Sequence, residues 1–145
     1  MIVEKLMTAG AVSVSADTTA ASAARLMEQH GVGALPVTAP DGRLWGIVTD
    51  RDIVLRCVAG DGDAEAVTVG ELMTKEPVTV GPEADVREAA ALMAGEGVRR
   101  LPVMKNGRLA GMISLADIAR SRSCDMEAGI ALSRISSAPA DGKRY

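Results

Sequence analysis

The chain has 145 residues, 16 Lys plus Arg against 19 Asp plus Glu, 48% hydrophobic residues and 1% aromatic residues with no Phe. A chain of this size folds as one or two small domains, and this one must build its core from aliphatic side chains and Met. A single Trp and a single Tyr exclude a stacking platform for single-stranded nucleic acid, and the net charge of -3 opposes binding to a phosphate backbone.

In chain order, a short helical turn ends near Met7 and leads to Val12-Ser13-Val14, which alternates with strand period. Residues 20–29 form an Ala-rich helix stopped by Gly31. Residues 34–38 read as a strand, Asp41-Gly42 as a tight turn, and residues 44–49 as a return strand that enters a helix near Asp50. Residues 61–67 read as a solvated linker, because the Asp61-Gly62-Asp63 fragment lacks the Gly and the bidentate Glu of a calcium loop.

The same elements then recur. A helical turn ends near Met73, Val78-Thr79-Val80 alternates, residues 86–94 form a helix stopped by Gly95 and Gly97, and residues 100–104 and 108–114 form strands around Asn106-Gly107. A helix follows from Leu115. Residues 125–135 predict one more helix with Met126, Ile130 and Arg134 on one face, and residues 136–145 a polar tail that need not pack.

The recurrence is a repeat. Leu6-Met7-Thr8 returns as Leu72-Met73-Thr74, Gly31-Val32 as Gly97-Val98 and Leu35-Pro36-Val37 as Leu101-Pro102-Val103, each 66 residues on. After the turn the spacing becomes 65, as in Asp52-Ile53 and Asp117-Ile118. Roughly twenty of about fifty aligned positions are identical, which fixes the architecture as two copies of one unit. The boundaries read as residues 1–60, the linker 61–67, residues 68–122, and a C-terminal helix and tail over 123–145. A fold of mixed α/β (α+β) class follows: two pseudo-twofold-related repeats, each a small three-stranded sheet with flanking helices, packed sheet to sheet because one copy cannot cover both faces of its own sheet. Charge divides unevenly, with 5 basic against 9 acidic residues in 1–66 and 11 against 10 in 67–145. The second copy is therefore the better home for an anion.

The chemistry concentrates in Gly46-Ile47-Val48-Thr49-Asp50-Arg51-Asp52, echoed by Gly111-Met112-Ile113-Ser114-Leu115-Ala116-Asp117. A hydroxyl residue followed three positions later by an acid, at a strand-to-helix junction, is a capping box. The same geometry offers a phosphate the hydroxyl of Thr49 or Ser114 with nearby amides, and offers a ribose the two acceptor oxygens of Asp52 or Asp117. The glycine ahead of it lets a ligand or a neighbouring backbone come close. Arg99 and Arg100 stand where the first copy has Gly33 and Ala34; they read either as a solvated edge or as phosphate partners, with Arg51 a weaker candidate.

These residues resemble a tandem pair of CBS domains, a Bateman module, over about residues 3–122. The resemblance rests on Leu-Met before the first strand, Gly-Val before Leu-Pro-Val, the Asp-Gly or Asn-Gly turn, and the Gly-x-x-(Thr/Ser)-x-x-Asp ending. Gly33-Ala34-Leu35-Pro36 and Thr49-Asp50-Arg51-Asp52-Ile53 are similar in style to stand-alone CBS proteins of the actinobacterial hypoxic-response type. The resemblance implies a regulatory, energy- or redox-sensing module, a homodimer or a protein partner, and binding of AMP, ADP, ATP, S-adenosylmethionine or NADH in clefts between the copies, with no required cofactor. It implies ribose contacts at Asp52 and Asp117, phosphate contacts at Thr49 and Ser114, and an adenine pocket near Val12, Ser13, Val32, Val78, Thr79 and Val98. The alternative is a structural or protein-interaction module whose clefts stay empty.

Neither an enzyme nor a metal protein is expected. His30, the one histidine, sits at a helix end without a nucleophile beside it, and no phosphate-binding Gly-Lys-Ser/Thr loop, zinc spacing or nucleophile elbow occurs. Cys57 and Cys124 lie far apart and read as buried thiols. Glu4 and Lys5 interrupt what a secretion leader would need, and no run of 18 apolar residues occurs, so a cytoplasmic location is expected.

Overall fold

A computed structural model describes residues 1–137 and residue 145. Two compact units result, one continuous (Ala11–Pro77) and one composite (Met1–Gly10 with Val78–Tyr145). The units do not coincide with the sequence repeats. The first ten residues join the second repeat, and the turn around Met73 joins the first.

In the continuous unit, α1 (Ala20–His30) forms because four alanines with Leu26 and Met27 favour helix, and both ends are closed. The Thr19 hydroxyl accepts from Ser22 N–H at the start, and Gly31 turns left-handed at φ 64 to end it. β2 (Ala34–Thr38) and β3 (Leu44–Thr49) form an antiparallel hairpin, and β3 runs into α2 (Asp50–Asp52) and a π-helical stretch, Ile53–Val58. After α3 (Val69–Leu72), β4 (Thr74–Lys75) adds to β3, giving the order β2-β3-β4. Leu35, Val37, Val48, Met27 and Val69 are among the residues of its core.

The composite unit repeats this plan. It contains β1 (Thr8–Ala9), α4 (Val86–Glu96), β5 (Arg100–Lys105), β6 (Arg108–Ser114) and α5 (Leu115–Ala119), with the sheet order β1-β6-β5. It also has what the other unit lacks, α6 (Asp125–Ser137), packed against α4 and α5 through Ala128 and Ala131. Met126 and Ile130 point away from that contact, at 76% and 54% exposure. Cys57 and Cys124 are buried free thiols.

The shift from 66- to 65-residue spacing lies in the hairpin loops. Thr38 pairs with Leu44 across five residues, whereas Met104 pairs with Leu109 across four. The shorter loop turns on Asn106 and Gly107, both at positive φ (53 and 76), as a two-residue primed turn requires.

Each sheet has the expected three strands, but the third strand is a different one. Val12-Ser13-Val14 and Val78-Thr79-Val80 make only single parallel bridges, Val14 to Val37 and Val80 to Val103. Extending either bridge toward the N-terminus would need an N–H from Pro36 or Pro102, which proline lacks, so pairing stops there. The third strands are instead β4 and β1, which approach β3 and β6 at their glycines. A Cβ on Gly46 would stand 2.7 Å from Thr74 O, and one on Gly111 would stand 2.4 Å from Thr8 O. These glycines serve the close approach of backbone, not of a ligand.

The linker is exposed at most of its side chains, but its backbone is engaged. Ala20 and Ala21, at the start of α1, donate their N–H groups to Val67 O and Ala64 O, each at 2.8 Å. Arg25 also pairs with Glu65. Beyond it, Thr68 and Glu71 form a capping box for α3, and the Thr68 N–H and hydroxyl bonds hold the Glu71 carboxyl below its ordinary range.

The unpacked tail expected over residues 136–145 falls, for 138–144, outside the described residues. At Tyr145 that expectation is overturned, since this side chain is 2% exposed.

Candidate functional site

Both duplicated motifs close as capping boxes. The Thr49 hydroxyl accepts from Asp52 N–H at 3.1 Å, and Asp52 Oδ2 accepts from Thr49 N–H at 2.9 Å. Ser114 and Asp117 repeat the pair at 3.1 and 2.8 Å. Each box fixes the carboxylate rotamer and uses one of its oxygens. The other oxygen faces a guanidinium, Asp52 Oδ1 at 3.9 Å from Arg56 and Asp117 Oδ1 at 3.4 Å from Arg120. A carboxylate has about four acceptor positions, so these partners leave capacity for the vicinal hydroxyls of a ribose. Both Asp side chains keep a sliver of exposure, 14% and 15%.

The two hydroxyl residues differ. Thr49 is buried at 3%, whereas Ser114 is half-buried and lines a cavity of about 580 Å³ in the composite unit. Arg99 and Arg100 line the same cavity, with Leu115 and Ala116 from α5 and Asp125, Ala128 and Leu132 from α6. Three of the expected phosphate contacts thus share one cavity, although Asp125 brings an acid to the wall. Arg51 is exposed at the head of α2 in the other unit. The main chain near each motif is arranged alike: Asp50 N–H donates to Gly33 O at 3.0 Å, and Leu115 N–H to Arg99 O at 2.8 Å.

The residues expected around adenine fall into two sets, one in each unit. Val12 is half-buried, Ser13 exposed and Val32 42% exposed in the continuous unit. Val78 is half-buried, Thr79 exposed and Val98 fully buried in the composite unit. Sequence reasoning missed Tyr145 and the α6 wall. Val78 N–H donates to the Tyr145 phenol oxygen at 2.8 Å, and the N–H groups of Arg99 and Arg100 donate to its main-chain oxygen. The signal that could have found Tyr145 was its rarity, a lone buriable ring after a polar run.

Among the described residues, no group of three or more His, Cys, Asp or Glu is placed to hold a metal ion, and no helix is long and apolar enough to cross a membrane.

The family model "CBS domain" matches residues 3–58 and again 69–123. Hypoxic response protein 1 of Mycobacterium tuberculosis is 40% identical over 115 residues, covering 79% of this chain and 80% of the relative. A crystal structure of Hypoxic Response Protein I with two coordinated zinc ions superposes with a TM-score of 0.77 at 38% identity, covering 83% of this chain and 98% of that one. A CBS domain pair solved in complex with 5-methylthioadenosine and S-adenosyl-L-methionine shares the fold at a TM-score of 0.75 and 24% identity, over 83% and 94% of the two chains. CBS-pair modules are generally regulatory and often nucleotide-binding. The chain belongs to the CBS-domain family, as a tandem pair.

Proposed function

We propose that this CBS pair is a cytoplasmic regulatory module that binds an adenine nucleotide or a related adenosine compound and signals through a partner protein or its own homodimer. The observation that carries the reading is the duplicated hydroxyl–aspartate box. In each copy the box holds an Asp in one rotamer with acceptor capacity to spare, and in the composite unit Arg99, Arg100 and Ser114 meet at one cavity. Carboxylate against hydroxyls and a guanidinium fork against phosphate are the pairings that recognise a nucleotide. The complex with two adenosine compounds, in a protein of the same fold, is consistent with adenosine as the common element. Regulation without catalysis fits the stand-alone CBS class.

A second reading treats both Asp residues as helix caps and the module as a protein-interaction scaffold. It is favoured by the fact that both boxes are already closed. Thermal denaturation with AMP, ADP, ATP, S-adenosylmethionine and NADH separates the two. Binding at a 100-fold excess over Kd contributes about 2.7 kcal/mol and should raise the midpoint by about 5–10 °C. That rise should vanish in the double variant Asp52→Ala/Asp117→Ala. No rise with any of the five at millimolar concentration, combined with a lower ligand-free midpoint for the double variant, establishes the cap reading instead.

A further inference from the structure

Tyr145 is the only tyrosine in a chain with one tryptophan and no phenylalanine. The stretch before it, residues 136–144, reads Ser-Ser-Ala-Pro-Ala-Asp-Gly-Lys-Arg and gives no pattern that would draw a ring inward. Yet the ring is buried, and three main-chain N–H groups hold the residue at both ends. Val78 donates to the phenol oxygen at 2.8 Å, and Arg99 and Arg100 donate to the main-chain oxygen.

Those donors belong to the segments where a nucleotide is expected, Val78 and Val98 for the base and Arg99 and Arg100 for phosphate. A phenol is flat and carries a hydrogen-bond acceptor on its edge, as a purine does, so either ring satisfies Val78 N–H. That N–H is available because the adjacent parallel pairing ends at Val80, beside Pro102. The Tyr145 main-chain oxygen meets two amides suited to an anionic oxygen. We propose that Tyr145 is an intramolecular occupant of the base pocket of the composite unit, and that an adenine nucleotide enters this pocket only by displacing it. The proposal rests on the nucleotide-binding reading and assigns that site its regulation.

The other repeat supplies an internal control. Val32, the counterpart of fully buried Val98, is 42% exposed, and the only other aromatic side chain, Trp45, stands 48% exposed on β3.

The test compares the wild type with Tyr145→Ala and Tyr145→Phe by two readouts. Amide hydrogen exchange at Val78, Arg99 and Arg100 reads occupancy without any ligand; calorimetric titration with AMP, ADP, ATP, S-adenosylmethionine and NADH reads competition. Exchange at the three amides should rise in Tyr145→Ala. Its affinity at the site lost in Asp117→Ala should rise about tenfold, the factor expected when the ring leaves a pocket open a tenth of the time. Tyr145→Phe keeps the ring and should fall between the two, with faster exchange at Val78 alone. Unchanged exchange in Tyr145→Ala overturns the docking. Equal affinities for wild type and Tyr145→Ala overturn the competition but leave nucleotide binding standing. An absence of binding in every variant overturns the nucleotide reading, and the competition with it, whatever the exchange shows.

Discussion

Val32 and Val98 hold equivalent places in the two repeats, yet one is 42% exposed and the other fully buried. The backbones around them are near copies: each valine follows a left-handed glycine, donates to the carbonyl of a methionine five residues earlier, and precedes a strand carrying Leu-Pro-Val. Only the composite unit carries α6 and the buried Tyr145, which lie beyond the second repeat. Charge and exposure at these valines then point in opposite directions. The composite unit has the arginines an anion needs together with a buried Tyr145, while the continuous unit is more acidic and leaves Val32 exposed. Duplication supplied two similar hydroxyl–aspartate boxes, and α6 and Tyr145 accompany only the second.

The largest expected effects lie in the part the two units share, the glycine beside each third strand. Gly111→Ala and Gly46→Ala each push a Cβ into the oxygen of an edge strand, at 2.4 and 2.7 Å respectively. Overpacking of this kind costs about 1–3 kcal/mol, and Gly111→Ala should lie at the upper end. Urea unfolding measures the cost, and faster exchange at Gly10 N–H, which bonds Ala110 O, should accompany loss of β1 in Gly111→Ala. Equal and negligible losses would show that the close approach is not what these glycines provide.

A smaller contrast lies in the caps. Thr49→Ala removes a buried hydroxyl, leaves the part-buried Asp52 N–H without its acceptor and should cost about 1–2 kcal/mol. Ser114→Ala should cost about 0.5–1 kcal/mol, because Ser114 borders an open cavity where water replaces the hydroxyl. The reverse order in chemical denaturation would mean that the two boxes differ in some way other than burial.

Much of this architecture is legible from residues. The 66-residue repeat, Thr19 and Gly31 around α1, and Asn106-Gly107 between β5 and β6 are local signals, and local hydrogen bonds settle their outcome. The third strand is not local. Val12-Ser13-Val14 has the alternation of a strand but lies beside Pro36, while Thr8–Ala9 is two exposed residues with no alternation and is recruited by the bare backbone of Gly111. The Thr49–Asp52 and Ser114–Asp117 boxes follow from spacing alone. That Arg99, Arg100 and Ser114 share a cavity with α6 depends on tertiary packing, and the burial of Tyr145 on donors 45 to 67 residues away, which no periodicity encodes.

Inequality between the two units in nucleotide binding is tested directly by one titration. Backbone amide spectra of the wild type, recorded as ATP is added, follow Val12 and Val32 in one unit and Val78, Val98 and Arg99 in the other, with the single Tyr145 ring as an internal reporter. Inequality predicts that the Val12 and Val32 signals move first, and that the Val78 and Arg99 signals move later and together with release of the ring. Saturation of Val78 and Arg99 at the same ATP concentration as Val12 and Val32, with the Tyr145 ring undisturbed, would contradict it.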